Sequence, residues 1–156
     1  MTNIQTRSFP HFGKLRNSKR NKHGKNGYWN YLWRMLKLLL IGLGGFLGAI
    51  SRYLVQTLLT TRYPGTFPWG TFAVNIIGCL FIGIIYGLAE RHKLLNEEMR
   101  LLLSVGFCGS FTTFSAFSAE NLNLFQLGNY TTLGLYITAS ILLGLGAVFA
   151  GVLMGR

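Results

Sequence analysis

The amino-acid sequence predicts an all-α membrane protein with four transmembrane helices. Three observations carry that reading. Half of the 156 residues are hydrophobic and only 12% are charged, about half the usual share for a soluble domain. The apolar residues gather in four runs, each matching the ~20 residues a helix needs to cross a hydrocarbon core. The formal net charge of +11 is concentrated at one end of the chain.

The first element is a basic tail. Residues 1–37 hold nine of the 15 Lys/Arg residues and no acid, and the remaining 119 residues hold six basic and four acidic. Residues 1–34 are rich in Asn, Lys, Arg, Ser and Gly and have no apolar core of the kind a signal peptide carries. They read as a disordered cytoplasmic tail, and residues 35–156 read as the membrane domain. The spans are Leu38–Thr60, Trp69–Ala89, Leu101–Leu122 and Thr131–Leu153. Only Arg52 and Glu120 bring charge into them, and all three prolines lie outside. Tyr28, Trp29, Tyr31, Trp33, Tyr63 and Trp69 cluster at span ends, as interfacial aromatics do. A soluble four-helix bundle would need polar outer faces, which these runs lack.

Four spans put both termini on one side. That side receives the tail, Arg91, Lys93, Arg100 and Arg156, thirteen basic residues against Arg62 alone on the other. The positive-inside rule then makes the termini of this multi-pass protein cytoplasmic. The tail is also attracted to anionic lipid headgroups, although its charge can act as an orientation signal alone.

The polar residues inside the spans carry the functional information, because a polar group in hydrocarbon must be satisfied or line something wet. Gly42, Gly44, Gly45 and Gly48 in span 1 read as a packing face, with Gly44 and Gly48 at small-xxx-small spacing. Arg52 and Glu120 fall in the outer halves of spans 1 and 3. They either pair across a polar vestibule or snorkel separately. In span 2, Thr71, Asn75, Gly78, Ile82 and Tyr86 share a helical face. Asn75 serves as an interhelical hydrogen-bond residue or as a donor to a solute. Span 4 repeats the pattern with Thr132, Tyr136, Ser140 and Gly144. Span 3, with Gly106, Cys108, Gly109, Ser110, Thr112, Thr113, Ser115 and Ser118, is too polar and glycine-rich for a simple anchor. It predicts a helix break near mid-membrane, which exposes carbonyls and is tolerated only inside protein or around an ion. Phe107, Phe114 and Phe117 would share one face of a continuous helix.

Several functions are excluded. There is no paired carboxylate, His cluster, Ser/His/Asp set or P-loop, so the chain is not read as an enzyme. The basic residues lie on a segment with little to fold around, which argues against a nucleic-acid-binding domain. Cys79 and Cys108 sit in apolar runs and imply neither a disulfide scaffold nor a zinc site. A proton-coupled cation exporter of similar size would carry a carboxylate in an early span, and none is present. A non-transporting scaffold would explain the glycines but not the hydroxyl stripes. A small-solute pathway lined by neutral donors remains.

Three stretches then resemble a known family. Gly44-Gly45-Phe46-Leu47-Gly48-Ala49-Ile50-Ser51-Arg52-Tyr53, Gly70-Thr71-Phe72-Ala73-Val74-Asn75-Ile76-Ile77-Gly78 and Gly106 through Ser118 resemble the signatures of the Fluc/CrcB fluoride channels, in family order and one per span. The resemblance implies an antiparallel dimer with two narrow fluoride-selective pores. By motif, Phe114 and Phe117 would be the pore phenylalanines, whose electropositive ring edges face the anion. Asn75 would be an amide donor, with Tyr136 and Ser140 continuing a hydroxyl track. Gly109 and Thr112 would offer carbonyls to a central, structural Na⁺. Ser110 stands where the family usually has Gly, and Ala116 where it often has Thr.

Fluoride is small and strongly hydrated, so a pore must replace its water with many donors that are each weak enough to release it. The implied role is passive export that lowers fluoride toxicity, with no ATP or proton site required. An inverted second subunit would bring the two span 3 breaks together. The strong charge bias favours a fixed-orientation subunit paired with an oppositely oriented homologue in the cell membrane, with a dual-topology homodimer as the alternative.

Overall fold

A computed structural model describes the backbone of residues 16–92 and 95–156, and the side chains of residues 27–90 and 95–156. Among these residues every regular element is helical. The chain divides into two compact units, Met1–Leu36 and Lys37–Arg156.

Helix α1 is Arg16–Arg62. It begins inside the stretch that composition reads as a disordered tail. Residues 16–34 contain no proline and only two glycines, so nothing in the chain blocks helical geometry there. Residues 1–15 lie outside the described residues. In the first unit, Tyr28, Trp29, Tyr31 and Trp33 are exposed.

The second unit holds the rest. Pro64 and Pro68 bracket the turn out of α1, and α2 follows as Trp69–His92. Helix α3 is the single turn Glu97–Arg100, capped by Asn96, whose Oδ1 accepts from Met99 N–H at 2.8 Å. The chain then forms a π-helix, Leu101–Cys108, a form that concentrates at functional sites. Helix α4 is Gly109–Phe111. Thr112 and Thr113 are extended, with ψ of 157° and 118°. Helix α5 is Phe114–Gln126. Gly128 takes φ +69° after α5, the left-handed position that favours glycine past a helix end. Helix α6 is Tyr130–Gly155, with Asn129 as its N-cap.

Among the described residues, four segments are long and apolar enough to cross a membrane: Gly27–Arg62, Trp69–Glu90, Glu97–Gln126 and Tyr130–Gly155. Little of each is buried within the chain. Leu135, Leu142, Leu145, Phe149 and Leu153 of α6, for example, are exposed, as side chains facing lipid would be.

Glycine sets how closely these helices meet. A Cβ on Gly44 would stand 2.2 Å from Leu102 O, and one on Gly48 would stand 2.3 Å from Phe107 O. Gly106 approaches Gly44 from the π-helix side. The expected packing face of span 1 therefore receives the π-helix. Helices α2 and α6 cross in the same way, Gly83 and Gly87 facing Gly151 and Gly155. Backbones can approach this closely only where no side chain intervenes. Two ion pairs, Lys37–Glu97 and Glu90–Arg156, tie the α2–α3 connection to α1 and to the C-terminus at one end of the unit. All four side chains are substantially exposed, so these pairs contribute little stability, about 0–1 kcal/mol each.

Candidate functional site

The extended pair Thr112–Thr113 organises the site. Leaving helical geometry strands backbone groups, and the neighbouring side chains meet that need. Thr113 N–H donates to Asn75 Oδ1 at 2.8 Å, and Asn75 Nδ2 donates to Thr113 C=O at 3.1 Å. One carboxamide on α2 thus satisfies both backbone groups of Thr113. The Thr113 hydroxyl accepts from Ala116 N–H at 3.2 Å and caps α5. Thr112 N–H and hydroxyl both donate to Cys108 C=O at 3.0 Å. Thr112 also seats its methyl on Gly78, where a Cβ would come within 2.2 Å of Cγ2.

A cleft of about 440 Å³ opens beside this pair. Asn75, Thr112, Thr113, Phe114, Phe117 and Ser140 line it, together with Gly78, Ile82, Ser104, Cys79, Cys108 and Gly109. None of these lining residues carries a formal charge at neutral pH. Phe114 and Phe117 lie 5.9 Å apart between ring centroids, and Phe117 lies 4.9 Å from the Tyr136 ring. Ser140 Oγ is buried and has no hydrogen-bond partner among the described residues, an unusual state for a buried hydroxyl. Phe114 is 78% exposed, so the cleft is open on its side.

A second hollow, about 540 Å³, lies under the α1–α2 turn and includes Gln56, Thr71 and Glu120. Gln56 Nε2 donates to Thr71 Oγ1 at 3.0 Å, and the Thr71 hydroxyl donates to Glu120 Oε1 at 2.5 Å. Tyr136 OH donates to Glu120 Oε2 at 2.7 Å. Tyr136 and Thr71 are almost completely buried, so both carboxyl oxygens are held by sequestered hydroxyls.

The structure gathers Asn75, Phe114, Phe117 and Ser140 around one cleft, with Gly109 and Thr112 on its wall. Tyr136 does not line that cleft. Its ring packs on Phe117 and its hydroxyl serves Glu120, so it stands between cleft and hollow. Arg52 and Glu120 are not brought into a salt bridge or hydrogen bond, because Glu120 takes Thr71 and Tyr136 instead. Phe107 parts from the other two phenylalanines. It stacks on Phe111 at 5.6 Å and lies 6.5 Å from Phe81, since a π-helix and two extended residues interrupt the register a continuous helix would keep.

Two contributors carry roles that the sequence reading does not assign. Gln56 is a carboxamide inside an apolar span, a signal of the same kind as Asn75. Thr113 sits within the span 3 motif, but its pairing with Asn75 depends on a backbone conformation that side-chain periodicity does not report.

The sequence is similar to known proteins over the same region. A family model described as CrcB-like protein, Camphor Resistance (CrcB), matches residues 39–152. The fluoride-specific ion channel FluC of Phocaeicola vulgatus is 47% identical over 122 residues, covering 78% of this chain and 100% of the relative. The protein of the same name from Bacteroides fragilis is 48% identical over 125 residues, covering 78% and 98%. That of Azobacteroides pseudotrichonymphae is 44% identical over 118 residues, covering 76% and 94%. With these matches and its four membrane-length helices, the chain is a multi-pass membrane protein and belongs to the CrcB family.

Proposed function

We propose that the chain is a subunit of a fluoride-selective channel that lets cytoplasmic fluoride leave the cell passively and so lowers fluoride toxicity. The observation that carries this reading is the uncharged cleft, where one amide, one unpartnered hydroxyl and two phenylalanine rings converge. It accords with the chain's similarity to fluoride-specific ion channels.

Asn75 Nδ2 bears two hydrogens and commits one to Thr113, which leaves the other for an anion. Ser140 supplies a hydroxyl with no competing partner. Phe114 and Phe117 offer ring edges of positive electrostatic character. A series of neutral donors replaces hydration water without the tight hold of a fixed cation. Tyr136 and Glu120 define the vestibule end, and Arg52 acts apart from Glu120.

The backbone near the extended pair suits a hard cation such as Na⁺. The helical donor for Gly109 C=O would be Thr113 N–H, which goes to Asn75. The helical donor for Thr112 C=O would be Ala116 N–H, which goes to Thr113 Oγ1. Both carbonyls are thus released from those bonds, and oxygen is the ligand a hard cation takes. A bound Na⁺ would supply structural charge compensation at this break in the third span.

Two further features support an antiparallel dimer with two pores. The cleft is open at Phe114, and released carbonyls at membrane depth call for protein cover. The charge bias favours cytoplasmic termini and an oppositely oriented homologue as the partner, over a homodimer. Purified protein in potassium fluoride liposomes tests the function. With valinomycin present, a fluoride electrode should record efflux, and potassium chloride liposomes should release no chloride. If fluoride stays inside both for the protein alone and with an opposite-facing homologue, the channel reading fails.

A further inference from the structure

We propose that the stretch of α1 from Arg16 to Leu36 is a binding collar for anionic phospholipid headgroups. The inference concerns residues outside the family match, which begins at residue 39. The relatives are matched over 94–100% of their length by 76–78% of this chain, so this chain carries a stretch they do not.

Along α1 a cluster of cations precedes a belt of aromatics. A helix turns about 100° per residue, so the register positions of Arg16, Lys19, Arg20, Lys22 and Lys25 fall on more than one side of α1, with an arc of about 140° left free of them. At the same turn per residue, Tyr28, Trp29, Tyr31 and Trp33 spread over about 200° of the next turns, with Asn30 and Arg34 in the remaining arc, and the four aromatics are 64%, 59%, 66% and 52% exposed. Exposed aromatics followed along the same helix by a cluster of cations fit a helix that passes from the membrane boundary into the headgroup layer. Aromatic side chains favour that boundary. The headgroup layer is roughly 5–7 Å thick on each side. At about 1.5 Å per residue, Lys25 and Lys22 follow Trp29 at the level of the phosphates or within a Debye length of about 8 Å.

The same unit offers a first seat for one phosphate. A hollow of about 190 Å³ is lined by Gly27, Asn30, Tyr31 and Arg34. It combines a guanidinium, which can hold a phosphate through two bonds, with an amide and a phenol. No acidic residue lies in residues 1–37 to compete. Charge complementarity therefore selects an anionic lipid over a zwitterionic one.

The test uses the full chain with Trp69→Phe, which leaves Trp29 and Trp33 as its tryptophans. The protein is reconstituted into phosphatidylcholine vesicles containing brominated phosphatidylglycerol or, at equal mole fraction, brominated phosphatidylcholine. Tryptophan quenching should favour brominated phosphatidylglycerol by roughly fivefold at low salt. The preference should collapse in about 0.5 M salt, and it should also collapse when Arg16, Lys19, Arg20, Lys22 and Lys25 are all changed to Gln. Equal quenching by both lipids at low salt would overturn the proposal, as would a preference that survives the five substitutions. The salt series needs no multiply substituted variant.

Discussion

Asn75 and Thr113 exchange two hydrogen bonds, the carboxamide of α2 standing in for the backbone partners that Thr113 gives up by leaving helical geometry. This pairing couples the uncharged cleft to the α4–α5 junction. Asn75→Leu removes both bonds and leaves a backbone N–H and C=O unpaired. We expect a loss on the order of 1–2 kcal/mol in detergent stability, with fluoride efflux falling at least tenfold. Asn75→Asp keeps the acceptor for Thr113 N–H and removes the donor to its carbonyl, so it should retain more stability than Asn75→Leu. Thermal unfolding and electrode efflux of the two variants check the order.

Gly78 and Thr112 form the second contact that holds this junction. A methyl at position 78 would fall on Thr112 Cγ2, and turning Thr112 away would break its bond to Cys108 C=O. Gly78→Ala should therefore cost about 1–3 kcal/mol. Thr112→Ser removes the clashing methyl and keeps the hydroxyl. The double variant Gly78→Ala/Thr112→Ser should recover most of the stability and efflux that Gly78→Ala loses.

Much of this architecture is legible in the sequence, and the illegible parts have a common cause. Span number, span position and the packing role of Gly44 and Gly48 follow from composition and spacing, because lipid imposes a length and close helices need small residues. Asn75, Phe114, Phe117 and Ser140 line one cleft. The partners of Glu120 do not follow. Similar depth allows Glu120 either to pair or share a vestibule with Arg52 or to snorkel separately, whereas Thr71 and Tyr136 on α2 and α6 reach the carboxyl. Depth ranks residues along the membrane normal but says nothing of which helix faces which. The separation of Phe107 from Phe114 has a similar origin, since a period of 3.6 does not carry across Leu101–Cys108 and the extended threonines.

The glycine contacts predict a sharp contrast within one helix. Gly44→Ala places a methyl against the Leu102 and Phe107 backbone, which cannot rotate away, whereas Gly42 has no atom within 4 Å of the added group. We expect Gly44→Ala to reduce recovery of folded protein severely and Gly42→Ala to leave it close to the parent. Size-exclusion profiles after detergent extraction distinguish the two.

Thr71, Glu120 and Tyr136 act as a unit in the hollow under the α1–α2 turn. Tyr136→Phe and Thr71→Val each remove one hydroxyl from the same carboxyl group. Their effects on stability should be non-additive, with a coupling of about 0.5–3 kcal/mol. A double-mutant cycle by thermal unfolding measures it, and strict additivity would show that the two hydroxyls serve Glu120 independently.

The central claim is that fluoride crosses beside Phe114 and Phe117. Its most direct measurement is fluoride-electrode efflux from liposomes holding equal amounts of the parent protein and of Phe114→Ile. Isoleucine keeps an apolar side chain of moderate size at an exposed position, so the variant should fold, but it has no aromatic edge. The account predicts fast fluoride efflux from the parent and at least a hundredfold slower efflux from Phe114→Ile, with matching elution profiles. A folded Phe114→Ile channel that conducts like the parent would contradict it.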